Sequence, residues 1–212
     1  MSKAAIKASL RRVLTACSFG RIAQSPGSAD GACYLTFDDG PHPVHTRALL
    51  DLLERHQARA TFFLVGSHVE AEPEVAREIA ARGHLLGNHS YHHRAFWQLP
   101  LARQLEEVET TERLLRQIDG RASHPFRPPQ GRLSLSLALA LIGRGTRTVL
   151  WTRDSLDYRL EPSAIVEHLS VADPDAGDVL LFHDDGPKAL QALEVMLPRW
   201  RSSGIRFEAS PA

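Results

Sequence analysis

From Ala32 onward the chain alternates short apolar runs with amphipathic segments, and that alternation restricts the fold more than any other feature. A short continuous apolar run suits a strand covered on both faces, while apolar residues recurring every three or four positions suit a helix lying on a sheet. Cys33–Phe37 reads as a buried strand and His45–Arg55 as the helix after it. Ala60–Val65 is the second strand, and Glu72–Arg82 the next helix, with Pro73 in its first turn. His84–Gly87 reads as a short third strand ending in a loop at Asn88. Leu101–Asp119 is a long helix closed by Gly120, a Pro-rich turn begins at Phe126, and Leu133–Ile142 is helical. Arg147–Trp151, Val179–Phe182 and Ile205–Phe207 read as strands, with helices near Ser163–Leu169 and Leu190–Arg201. Strand and helix in turn predict an α/β fold with a parallel sheet, open or closed into a barrel.

The chain has 212 residues, enough for one domain with a substantial core. Lys and Arg together number 25, as do Asp and Glu, so there is no basic excess of the kind nucleic acid would require. Cys17 and Cys33 form no CxxC pattern, and Cys33 sits in an apolar run, which argues for a buried free thiol and against a disulfide framework.

Charge is uneven only at the start. Lys3, Lys7, Arg11, Arg12 and Arg21 all precede the first acid, Asp30, and Ile6, Leu10, Leu14 and Cys17 recur at helical spacing. Residues 1–29 are therefore expected to hold a basic amphipathic helix over 3–17, with the main domain spanning 30–212. Leu14-Thr15-Ala16-Cys17 resembles a lipoprotein cleavage box, but Arg12 leaves no apolar region before it, so a cleaved signal is not expected. The helix is expected to pack on the domain, with peripheral contact to an anionic membrane as the alternative. The compartment expected on this reading is the cytoplasm.

Polar residues gather where strands should end, which is where α/β folds place their chemistry. Asp38 and Asp39 follow the first strand and precede the turn Gly40-Pro41, a pattern that by itself is an ordinary turn. His89 and His93 stand at i, i+4, which on a helical turn would aim both rings at one zinc ion with a carboxylate as third ligand. His92, at i+3, serves equally if the turn is not helical. His56, His68 and His168 carry no such pattern. Arg127, Asp154, Asp157 and His183 each fall at a further strand end. Taken singly they suggest surface ion pairs and helix caps; together they suggest one site. Asp-Asp-Gly-Pro recurs at Asp184–Pro187 with different flanks, and there Asp184 or Asp185 is expected to cap the following helix.

From about Ala32 to Phe207 these motifs, in order, resemble the NodB-homology polysaccharide deacetylases, carbohydrate esterase family four. Thr36-Phe37-Asp38-Asp39-Gly40-Pro41 fits the first motif, and His89-Ser90-Tyr91-His92-His93 fits the second, H-[ST]-x-x-H. Arg127-Pro128-Pro129-Gln130-Gly131, Asp154-Ser155-Leu156-Asp157 and Leu181-Phe182-His183-Asp184 resemble the third, fourth and fifth. The resemblance implies a distorted, incomplete (β/α) barrel and a hydrolase that removes N-acetyl groups from an N-acetylglucosamine-type glycan. It assigns Asp39, His89 and His93 to a divalent metal, usually zinc, although cobalt or nickel suits the same ligands. It makes Asp38 the base, paired with Arg127, and His183 the acid, tuned by Asp157. The backbone N–H of Gln130 would bind the oxyanion, and Leu181 would line the acetyl pocket. Gln130 replaces a frequent tyrosine and Tyr158 a usual tryptophan, changes that affect the groove wall and not the reaction. Tyr91, Phe96, Trp97 and Tyr158 are candidates to stack on sugar rings. The competing readings are an O-acetyl esterase, a deformylase or a non-sugar amide hydrolase of the same fold, and an inactive glycan-binding relative.

Overall fold

The computed structural model describes residues 22–23, 31–93 and 95–209. The helix expected over residues 3–17 lies outside them. Five strands form the main sheet in the order β4 (Leu85–Asn88), β3 (Ala60–Leu64), β2 (Cys33–Asp38), β7 (Val179–His183), β6 (Arg153–Asp154), all parallel. β8 (Phe207–Glu208) pairs with the start of β2, and β1 (Ile22–Ala23) pairs with β5 (Thr148–Val149). Phe126 bridges Asn88 on one side and Thr148 on the other, so the strands continue from β6 round to β1. No pairing joins β1 to β6 among the described residues, and the barrel is therefore incomplete.

The central strands are apolar because helices and the barrel interior cover both faces. Every residue of β2 and β3 is buried. α1 (His45–Arg55) buries Leu49, Leu50, Leu52 and Leu53 along one stripe, each side chain contributing about 1.5–3 kcal/mol. α7 (Lys188–Ser202) adds Met196, Leu197 and Trp200 to the same core as Phe37, Phe62 and Phe182. α4 (Leu101–Asp119) ends as expected, because Gly120 takes a left-handed conformation (φ 73°) and its N–H returns to the Arg116 carbonyl. α3 (Pro73–Ala81), α5 (Leu135–Gly143) and α6 (Pro162–Leu169) also match expectation to within about two residues.

Three differences concern elements too short for periodicity to register. α2 (Gly66–Ala71) forms a helix directly after β3, and β1 and β6 have two residues each. The fourth difference bears on the site. Asp184 does not cap α7, whose N-cap is Pro187 with no side-chain bond. Asp184 points inward instead, fully buried, and accepts a hydrogen bond from Thr46 on α1.

Candidate active site and metal centre

Strand register assembles the site. β2 and β7 pair so that Asp38 lies opposite His183, and β6 pairs so that Asp154 lies opposite Leu181. Asn88 ends β4 opposite Leu64, and its bridge to Phe126 sets His89 beside Arg127. Residues far apart in sequence thus meet at the carboxyl edge of one sheet, around a cavity of about 300 Å³ lined by Asp38, Asp39, His89, His93, Gln130 and His183, with Leu181, Trp151, Asp154 and Tyr158.

Asp39, His89 and His93 offer donor atoms that all lie within 4.8 Å of one another. His89 Nε2 is 3.5 Å and His93 Nε2 3.3 Å from Asp39 Oδ1, an oxygen that is buried without a hydrogen-bond donor. His89 donates its Nδ1–H to the Arg127 carbonyl at 2.8 Å, which leaves the Nε2 lone pair facing the cluster. Burial lowers the pKa of His89 despite the opposing charges of Asp38 and Asp39, so the ring stays neutral. A carboxylate oxygen without a donor, facing two imidazole nitrogens of which one is held neutral, fits a divalent cation of the zinc type.

The two histidines do not share a helical turn. Ser90 (φ 66°), His93 (φ 62°) and Ala95 (φ 53°) are left-handed, so the segment after β4 is an irregular loop. His92 lies outside the cluster, exposed, with its Nδ1–H donated to Glu107 at 2.8 Å.

Asp38 is 3% exposed, and its Oδ1 accepts from Arg127 Nη1 at 2.7 Å while Oδ2 lies 3.6 Å from His89 Nε2. Arg127 is fully buried over the Phe63 ring and donates three further bonds, to Thr36 Oγ1 and the carbonyls of Val149 and Leu150. Its charge is therefore fixed beside one carboxylate. Across the cavity, Asp157 accepts both the His183 backbone N–H at 2.8 Å and the ring Nδ1–H at 2.7 Å. Burial by itself lowers the pKa of His183, but the bond and charge of Asp157, with Asp38 and Asp39 beyond, raise it to about 9. Asp154 shapes this loop. Its Oδ1 accepts from the Leu156 N–H, allowing Leu156 a left-handed conformation that carries Asp157 beneath His183. Gln130 is exposed and left-handed (φ 57°) in a 3-10 turn on the cavity wall.

Among the aromatic candidates, Phe96 is core, Tyr91 donates its hydroxyl to Glu70, and Trp97 lies under the Arg132 guanidinium. Tyr158, 59% exposed, lines the cavity edge-on to His183. Two residues near the site carried no signal in the sequence. His68 donates its Nδ1–H to the Asp39 carbonyl at 2.8 Å, steadying that left-handed residue (φ 77°). Glu107 holds the loop after β4. Neither belongs to a local motif, because each acts across the fold.

The chain resembles known proteins in both sequence and fold. The family model for polysaccharide deacetylase matches residues 27–149. A peptidoglycan-N-acetylglucosamine deacetylase of Bacillus cereus is 30% identical over 84% of this chain and 66% of its own length. A chitooligosaccharide deacetylase of Azorhizobium caulinodans is 31% identical over 90% of this chain and 96% of its own. The crystal structure of the Bc1960 peptidoglycan N-acetylglucosamine deacetylase superposes with a TM-score of 0.83 at 29% identity, covering 90% of this chain and 91% of that one. The incomplete parallel barrel, the histidine–carboxylate cluster and the matched sequence together establish that the chain belongs to the polysaccharide deacetylase family, the metal-dependent NodB-homology hydrolases.

Proposed function

We propose that this chain hydrolyses the acetamido group of an N-acetylglucosamine-type glycan, with zinc held by Asp39, His89 and His93. The observation that carries the reading is that the metal-ligand cluster, Asp38 and His183 all line one cavity, with Arg127 paired to Asp38 and Asp157 to His183 from buried positions. The relatives named above support the substrate class, since peptidoglycan and chitooligosaccharides both contain N-acetylglucosamine.

When bound, the metal would supply Lewis-acid polarisation of the acetyl carbonyl and a lowered pKa for water at the site. Asp38, paired with Arg127, accepts the proton of the attacking water. The backbone N–H of Gln130 donates to the oxyanion as the carbonyl carbon becomes tetrahedral. Asp157 takes the Nδ1–H of His183, so the other ring nitrogen faces the cavity and delivers a proton to the departing amine. The acetyl methyl rests against Leu181 and Trp151, which line the same space. Acetate release from N-acetylglucosamine oligomers tests the reading: we expect release that a chelator abolishes and added zinc restores. Release that persists after complete chelation would exclude it, and the absence of any release from the zinc-loaded chain would favour an inactive glycan-binding relative.

A further inference from the structure

We propose that Glu107 is the positioning residue of the loop that carries the metal-ligating histidines, acting through backbone amides and never touching the metal. The inference rests on reading Asp39, His89 and His93 as ligands, and it adds a residue that lies outside every motif matched above.

The loop 88–93 has a folding problem of its own. Ser90 and His93 are both left-handed, at a cost on the order of 1 kcal/mol each, and an irregular turn leaves its amides without ladder partners. The inner part is satisfied from nearby. Asn88 Oδ1 accepts from the Ser90 N–H at 3.0 Å, and Ser90 Oγ accepts from the His93 N–H at 3.1 Å. The carbonyls of Ser90 and Tyr91 accept from Gly66 and Ser67 at the start of α2, both at 2.9 Å. There is little slack here, because a Cβ on Gly66 would run into Thr111 Oγ1 and the Tyr91 ring.

Two amides remain, those of Tyr91 and His92, and both donate to a single oxygen, Glu107 Oε2, at 3.1 and 2.9 Å. The other oxygen, Oε1, accepts the His92 Nδ1–H at 2.8 Å. The Glu107 side chain is 15% exposed and projects from α4, a helix fixed independently by Val108, Thr111 and Leu115 in the core. Partly buried bonds of this kind lose little to solvent, and one acceptor shared by two adjacent amides fixes both. Glu107 therefore fastens the outer half of the loop to a rigid helix, and through it sets where His93 meets Asp39. Groups that orient metal ligands in this indirect way typically contribute about 10–100-fold to metal affinity.

The test is zinc affinity of the full chain, measured by competition with a chromophoric chelator, a readout independent of turnover. Glu107→Ala should raise the zinc Kd by about 10–100-fold while far-UV circular dichroism is unchanged. Glu107→Gln keeps one oxygen at full reach for both amides and should recover most of the affinity. Glu107→Asp keeps the charge but withdraws the oxygen by one methylene, and should behave like alanine. Glu106→Ala, which removes only an exposed partner of Arg103, should bind zinc as wild type does. An alanine variant as tight as wild type would overturn the proposal. So would recovery by aspartate and not by glutamine, since charge rather than reach would then matter. If the alanine variant does not fold, the glutamine and aspartate variants decide between the same two outcomes. A wild-type chain that takes up no zinc would instead remove the metal reading, and this inference with it.

Discussion

The two halves of the site are built differently. On the β2–β7 side, Asp38 and His183 are register partners on adjoining buried strands, and hydrogen bonding of the sheet places them before any side chain acts. On the other side, His93 hangs from an irregular loop whose shape depends on Asn88, Ser90, Glu107 and the start of α2. A strand carries position cheaply because its ladder is repeated in neighbours; a loop must have each amide satisfied individually. The proton-transfer half should therefore fail in its chemistry while keeping its shape, and the loop half should fail in its shape, which appears as lost metal.

The largest test of that contrast is His183→Ala. It should lower kcat by about 10²–10⁴, the usual contribution of one positioned acid, and leave metal content unchanged. If the metal is lost as well, the halves are not independent. The next is Gln130, whose proposed contribution is a backbone donor. Gln130→Ala should keep most turnover; Gln130→Pro removes a donor worth about 10²–10³-fold, but proline cannot take the φ of 57° found at this position, so a lowered melting temperature should accompany its loss. A comparable loss in the alanine variant would show that the side-chain amide takes part.

A smaller and more specific effect concerns pH. The neighbouring carboxylates raise the pKa of His183 to about 9, so the acid form persists through neutrality and the alkaline limb of kcat/KM reports its loss. Asp157→Asn removes a charge that favours the imidazolium, so that limb should move to lower pH. In the zinc-loaded enzyme the cation beside Asp39 opposes these carboxylates, which places the wild-type limb below 9 while leaving the direction of the Asp157→Asn shift intact. A limb that stays in place would remove Asp157 from this role, and one that moves upward would remove His183 as the acid. The smallest effect serves as a control away from both halves. Gly120 is left-handed with open space around it, so Gly120→Ala should lose about 1 kcal/mol in denaturant titration with no change in activity.

The same contrast explains what the sequence made legible. Cys33–Asp38, Ala60–Leu64 and Val179–His183 announced themselves as apolar runs because both faces of each are covered. The polar residues just past them, Asp38, Asp39 and His183, stood out against that background. The loop after β4 was legible in composition and not in shape: the spacing of His89 and His93 suggested a helical turn, whereas Ser90, His93 and Ala95 depart from helical geometry. No local propensity predicts that, since the conformation is imposed by Glu107 and α2 from elsewhere in the fold. The helix-cap expectation for Asp184 fails for a similar reason. Its apparent turn repeats the Asp38–Pro41 pattern, yet Thr46 on α1 draws the carboxylate inward, where burial raises its pKa to about 7. His68 looked isolated because its partner is a backbone carbonyl distant in sequence.

On the proposed function, Asp39, His89 and His93 hold one metal ion that the chemistry requires. Metal analysis of the purified wild type beside Asp39→Ala, His89→Ala, His93→Ala and His92→Ala, with acetate release measured on the same samples, tests it most directly. About one zinc per chain is expected in the wild type and in His92→Ala, with little metal and no release in the other three. A His92→Ala variant that loses the metal, or a His93→Ala variant that keeps both metal and release, would contradict it.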